Sequence, residues 1–197
     1  AGSNVALALV GSGTLTGGAA VLSDAAGLAT FSALSVNLAG SKQLTATSGA
    51  LTPATSSAFT ISVGAAATLA FDVQPSSAAA GAAIAPAVRV KVADAFGNAV
   101  AGSNVALALV GTGTLTGGGA VLSDATGLAT FSALSVNLAG SKQLTATSGV
   151  LTPATSAAFT IAAAPASTLT FNVQPSNAVA GAAIAPAVRV KVADAFG

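Results

Sequence analysis

Residues 86–98 read Pro-Ala-Val-Arg-Val-Lys-Val-Ala-Asp-Ala-Phe-Gly-Asn, and two signals meet inside this short run. Val88, Val90 and Val92 alternate with Arg89, Lys91 and Ala93, the period of two that places one face of a β-strand in a core. Asp94 to Asn98 then reverses the chain. Asp and Asn side chains bond the backbone two residues on, and Gly97 supplies a positive φ. Working outward, the same alternation recurs in Leu69, Phe71 and Val73 against Ala70, Asp72 and Gln74. It recurs again in Val105, Leu107 and Leu109, and in Phe59, Ile61 and Val63. Turn signals stand between these runs at 117–119, 123–127, 137–140 and 152–153. One unit read from Ala66 gives strands near 68–74, 86–93, 103–110, 119–123, 127–136, 141–147 and 156–163. About seven short strands with turns every eight to twelve residues or so predict an all-β fold, an antiparallel β-sandwich. Helix is disfavoured, because the Ala-rich stretch 78–87 is broken by Gly81 and Pro86.

The pattern is tandem. Residue i and residue i+100 are identical at 83 of the 97 positions where both exist. Nine of the fourteen differences fall between positions 62 and 79, where Gly64-Ala-Ala-Ala67 stands against Ala164-Pro-Ala-Ser167, so this segment reads as the linker. The expected organisation is a partial repeat at 1–64 that lacks its first two strands, a complete repeat at 66–164, and the first two strands of a further repeat at 165–197. Gly197 has the phase of Gly97 and Ala1 that of Ala101. With no initiator Met and no basic-then-apolar leader, the chain is expected to be a periodic window of a longer array. A second account completes the head of one chain with the tail of the next by strand donation.

The order Pro-x-Val-x-Val-x-Val-x-Asp-x-x-Gly-Asn-x-Val-x-Gly-x-x-Val, Pro86 through Val105, resembles the opening of bacterial immunoglobulin-like domains of the invasin and intimin type. Ser123-Asp-Ala-Thr-Gly-Leu-Ala-Thr-Phe131 and Ala139-Gly-Ser-Lys-Gln-Leu-Thr-Ala-Thr147 resemble the second half of the same pattern, so the likeness covers the whole repeat. The resemblance implies tandem immunoglobulin-like sandwiches strung along a secreted or surface-anchored bacterial protein.

Composition removes several function classes. His, Cys, Trp, Tyr, Met and Glu are absent, and charged residues make up 6% of the chain with a net charge of +1. General acid–base and nucleophilic chemistry lack their usual side chains, so no enzyme, cofactor or metal is expected. Each repeat offers only Lys42, Arg89 and Lys91 or their counterparts, too few to neutralise a nucleic-acid backbone. The mean hydropathy of +0.82 comes largely from Ala and Val interrupted by Gly, Pro, Ser and Thr, so no stretch predicts a membrane-spanning helix. A membrane barrel would want aromatic girdles that this composition cannot build.

The remaining candidates have bland readings beside sharp ones. Asp94, Asn98, Asn104 and Asp124 could offer oxygen ligands to calcium, yet carboxylates this sparse suit turn formation better. Arg89 and Lys91 would give an array a cationic stripe open to surface glycans, or guard a strand edge against unwanted pairing. Ser41 and Lys42 adjoin on a strand and so point to opposite faces, which opposes a catalytic pair. An isopeptide link from Lys91 to Asn104 would need a buried acid. Phe31, Phe59 and Phe71 are expected in the core. Phe96 and Phe196 lie in turns and are assigned, with Ala65 and Pro165 of the linkers, to the inter-domain junction. Outward Thr114, Thr116, Thr145 and Thr147 read as strand-forming surface. The expected function is a structural repeat of an extracellular bacterial filament, stalk or surface layer, its partners copies of itself. The alternative is the extender of an adhesin whose binding tip lies elsewhere.

Overall fold

A computed structural model describes residues 1–197 and contains strands and turns only. The chain divides into two compact units, one formed by Ala1–Thr68, Val92–Ser103 and Ser123–Gly127, the other by Leu69–Lys91, Asn104–Leu122 and Leu128–Gly197. These bounds differ from the sequence periods, because the loops at 92–103 and 123–127 belong with residues 1–68.

In the first unit, Asn4–Val10 lies between Val21–Leu22 and Gly40–Thr47, both antiparallel to it. Gly40–Thr47 also pairs with Ala54–Thr55 and Phe59–Ile61. A small second ladder joins Leu15–Thr16 to Ser35–Val36. Register follows the side-chain alternation, with Leu7 opposite Ala46 and Leu9 opposite Leu44.

The second unit repeats that pattern. Asn104–Val110 pairs with Val121–Leu122 and with Gly140–Thr147, which carries Ala154–Thr155 and Phe159–Ala162. Another sheet orders Leu128–Phe131, Val88–Ala93 and Thr68–Val73 side by side, with Val88 opposite Phe131 and Lys91 opposite Leu128. At the edge of the first of these sheets runs the segment that the sequence left unassigned. Ala78–Ala79 pairs in parallel with Ile161–Ala162, the Gly81 N–H donates to Val136 O at 2.9 Å, and the Ile84 N–H donates to Leu134 O at 2.8 Å. One extended segment thereby satisfies backbone groups of several neighbours. The buried side chains are those of a sandwich interior: Ile84, Val88, Val90, Phe131, Leu134, Val136, Leu144, Phe159 and Ile161. The last part of the unit is a two-stranded ladder, Thr168–Val173 against Arg189–Ala193, with an irregularity between Phe171 and Val173.

Two expectations need correction. The strand expected at 127–136 is two, Leu128–Phe131 and Ser135–Val136, with fully buried Leu134 in the bend between them. The strand holding Arg89 and Lys91 is central in its three-stranded sheet, so those charges guard no edge there.

Candidate functional site

The loop Asp94–Asn98 belongs to one period and the loop 37–39 to the period before it, and both lie in the first compact unit. Three groups of interactions converge there. Asp94 Oδ1 accepts the N–H of Phe96 and of Asn98, each at 2.9 Å, which shapes the turn from within. Asp94 Oδ2 accepts the Asn98 side-chain amide at 2.8 Å and the N–H of Gly64 at 3.0 Å, which ties the turn to the linker. Asn98 then crosses to the earlier period: Nδ2 donates to Asn37 O at 2.9 Å, and Oδ1 accepts the Ala39 N–H at 2.9 Å.

The carboxylate at the centre is nearly inaccessible, 3% exposed. Burial alone pushes its pKa up, and the Asn98 side-chain amide with the N–H groups of Gly64, Asn98 and Phe96 outweighs that, lowering it from 3.8 to about 2. Asp194, its counterpart one period on, is also lowered, chiefly by the N–H of Phe196 and then of Ala164, against the effect of burial.

On the other side of the 37–39 loop lies a lysine whose burial the sequence reading missed. Lys42 is 3% exposed and donates to Ser12 Oγ at 3.2 Å and Ala39 O at 3.3 Å. Its equivalent Lys142 donates to Thr112 O at 2.7 Å, Thr112 Oγ1 at 3.1 Å and Ala139 O at 3.3 Å. Oxygens of the backbone and of a hydroxyl thus replace the water a buried ammonium loses. Parity along the strand carried the signal, since Lys142, Leu144 and Ala146 share one face and the latter two are fully buried.

The residues assigned to the junction fall unevenly. Ala65 and Pro165 are exposed. Phe96 is 66% exposed and makes its contribution through its N–H. Phe196 packs over Gly81 of the preceding period: its Cε2 lies 2.7 Å from where a Cβ on Gly81 would stand, and Gly81 has φ +75°. Glycine there therefore does two things, adopting a left-handed backbone and leaving room for the ring.

The other candidates do not gather. Asp124 Oδ1 accepts the N–H and hydroxyl of Thr126 at 2.7 and 2.6 Å, and Asn104 opens a strand opposite Leu122. Arg89 meets Asp72 at 3.5 Å, which moderates the expected cationic stripe in that period. Lys91 projects from its sheet into solvent and Ser41 is exposed while Lys42 is not. The arrangement is suited to fixing one loop upon another, and its donors and acceptors are matched within the protein.

No family model matches the chain, and no curated protein matches it in sequence. Among solved structures it is similar to the D0-D1 domain of intimin, at 18% identity and a TM-score of 0.38 over 82% of each chain. It is also similar to the D00-D0 domain of intimin, at 18% identity and a TM-score of 0.41 over 79% of this chain and 77% of that one. The Escherichia coli adhesin FdeC is another, at 18% identity and a TM-score of 0.42 over 86% of this chain and 56% of FdeC's. The chain thus spans a little over half of that FdeC structure.

Proposed function

We propose that the chain is a structural repeat of an extracellular bacterial filament, stalk or surface layer, in which successive periods are fastened by the Asp94–Asn98 loop. The observation that carries this reading is the double hydrogen bond of Asn98 to Asn37 and Ala39, made from a turn that Asp94 itself holds in shape. A flexible linker would leave consecutive periods independent, whereas a bidentate side chain against fixed backbone groups resists bending. Phe196 over Gly81 supplies an apolar contact of the same kind one period on. A surface of small residues with few charges is suited to close packing against copies of the same chain. An adhesin extender would use the same fastening, with recognition placed in another domain.

Small-angle scattering on chains of two, four and six periods tests the fastening. The expected result is a maximum dimension growing by roughly 30–40 Å per period, the length of a strand of seven to ten residues plus its turns. Asn98→Ala, placed in every period, should shorten the mean extension while each period keeps its melting behaviour. Growth with the square root of period number in the unaltered chain would overturn the reading.

A further inference from the structure

The two groups that receive Asn98, the Asn37 carbonyl and the Ala39 N–H, stand on the short loop 37–39. Both ends of that loop are pinned from the loop 11–14. Asn37 Oδ1 accepts the Thr14 N–H at 2.7 Å, and the Asn37 N–H donates to Thr14 O at 3.4 Å. At the other end, Lys42 Nζ donates to Ala39 O at 3.3 Å and to Ser12 Oγ at 3.2 Å. Gly13 brings the loops together: a Cβ there would stand 3.0 Å from Asn37 Oδ1 and 3.1 Å from Leu38 Cβ. Of these pins the lysine is the expensive one. It is buried, and a carbonyl and a hydroxyl, not a carboxylate, hold its ammonium. An apolar side chain of similar length would fill the space without the desolvation penalty. The next period repeats the arrangement, with Lys142 held by Thr112 and Ala139, and Asn137 Oδ1 accepting the Thr114 N–H at 2.7 Å. The copies differ at one of these acceptors, Ser12 against Thr112, and both residues bring a hydroxyl to the lysine.

We propose that Lys42 is a positioning residue for the junction: by holding Ala39 it presents the backbone groups that Asn98 engages, so the firmness of the fastening depends on a lysine that itself donates to none of residues 94–98. This deepens the fastening reading and rests on it. The Ala39 N–H that Asn98 uses and the Ala39 C=O that Lys42 holds belong to different peptide groups joined at one Cα, so Lys42 acts by fixing orientation and not by polarising the bond that Asn98 makes. Without that hold, docking of Asn98 would have to order the loop as well as bond to it. The opposite side is prepared in the same way. Asp94 Oδ2 accepts the Asn98 side-chain amide, which aims Asn98 at the loop before the two meet. Asp94, Asn98, Ala39 and Lys42 thus form one hydrogen-bonded series, with a buried carboxylate from one period at one end and a buried ammonium from the period before it at the other. A bidentate contact between two groups that are each already held loses little further entropy on forming, which accounts for an ammonium placed where an apolar residue would fit.

Hydrogen exchange at the Ala39 amide reads this arrangement in the full chain, while the amides of the ladder at 43–47 report whether the period is folded. Lys42→Met keeps the length of the side chain and removes its donors, and Asn98→Ala removes the acceptor of the Ala39 N–H. Each should speed exchange at Ala39 by about tenfold, the effect of one hydrogen bond, and the two together by little more than either alone, because both act on one contact. Lys142→Met makes the same change in the same local setting away from Asn98, and should leave Ala39 as it was. The side-chain amide signals of Asn98 give a second readout, moving toward free values in Lys42→Met and staying in place in Lys142→Met. Effects that multiply to about a hundredfold would mean that Lys42 props the loop without serving Asn98, and would overturn the proposal. Asn98 signals that ignore Lys42→Met would overturn it too. Indifference of Ala39 to Asn98→Ala sinks the fastening and this role with it, whereas a response to Asn98→Ala alone sinks only the role of Lys42. If Lys42→Met opens the ladder at 43–47, Ser12→Ala decides, since it takes one of the two acceptors of the lysine. Faster exchange at Ala39 with the ladder intact then supports the proposal, and no change overturns it.

Discussion

Gly27–Phe31 and Gly127–Phe131 are the same five residues, Gly-Leu-Ala-Thr-Phe, yet only the second copy carries a strand. The difference is the neighbour. Leu128–Phe131 lies beside Val88–Lys91 and buries Ala129 and Phe131, whereas Leu28 is 65% exposed and its run has no partner strand. Local propensity is held constant by this pairing of copies, so the strand is owed to tertiary context. The same lesson repeats at Val90, fully buried, and Val190, 51% exposed. A β-sandwich assigns structure to a segment according to whether its partner strand is present.

Substitutions placed in matched pairs would break or sharpen that comparison. The largest effect is expected for Val90→Asp, which puts an unpaired carboxylate into the core and should cost more than about 4 kcal/mol in a denaturant melt. Val190→Asp in a dilute chain should leave the melt unchanged within error, and equal losses would mean the two strands are equally buried. Next in size, Leu134→Ala should cost about 3 kcal/mol through the cavity it leaves, and Leu34→Ala under about 1 kcal/mol, because Leu34 already faces a groove.

A subtler effect concerns acid. Because Asp94 is lowered from 3.8 to about 2 in the folded chain, its ionised form favours folding. That contribution is complete above the unfolded value and is lost as pH falls through about 2. Asp194 is lowered in the same direction. Melts at successive pH values should show the unaltered chain losing stability faster between pH 4 and 2 than Asp94→Asn does, about in step with those two pKa values. Parallel curves would mean the loop does not depend on the charge. Smallest of all, Arg89→Ser should change stability by less than about 0.5 kcal/mol, since its pairing with Asp72 is exposed and single.

Much of this architecture was legible in residues 86–98, where valine alternation and the Asp–Asn pair gave a strand and the turn that ends it in the places they occupy. What escaped was set by distant partners. Ala78–Ala79 pairs in parallel with Ile161–Ala162, and nothing in a run of alanines announces a partner more than eighty residues away. Phe71 and Phe171 share one alternation, yet Phe171 is 54% exposed and Phe71 half-buried, because periodicity states which face is apolar and not whether that face is covered. At the candidate site, Asp94 and Asn98 were visible as turn formers, but the reach of Asn98 to Asn37 and Ala39 depends on one period meeting the next. Lys42 is legible only as one of three cations in its repeat and as pointing away from Ser41, and its parity with Leu44 and Ala46 is what marks that face as the buried one.

All six basic residues of the chain lie within strands: Lys42 and Lys142 in Gly40–Thr47 and its copy, Arg89 and Lys91 in Val88–Ala93, Arg189 and Lys191 in Arg189–Ala193. A protease that cuts after Lys or Arg needs a length of unpaired backbone, and the loops it could enter hold neither residue. Trypsin digestion of this protein would therefore proceed only as fast as its sheets open, and the order of the fragments would rank the strands by how firmly each is held.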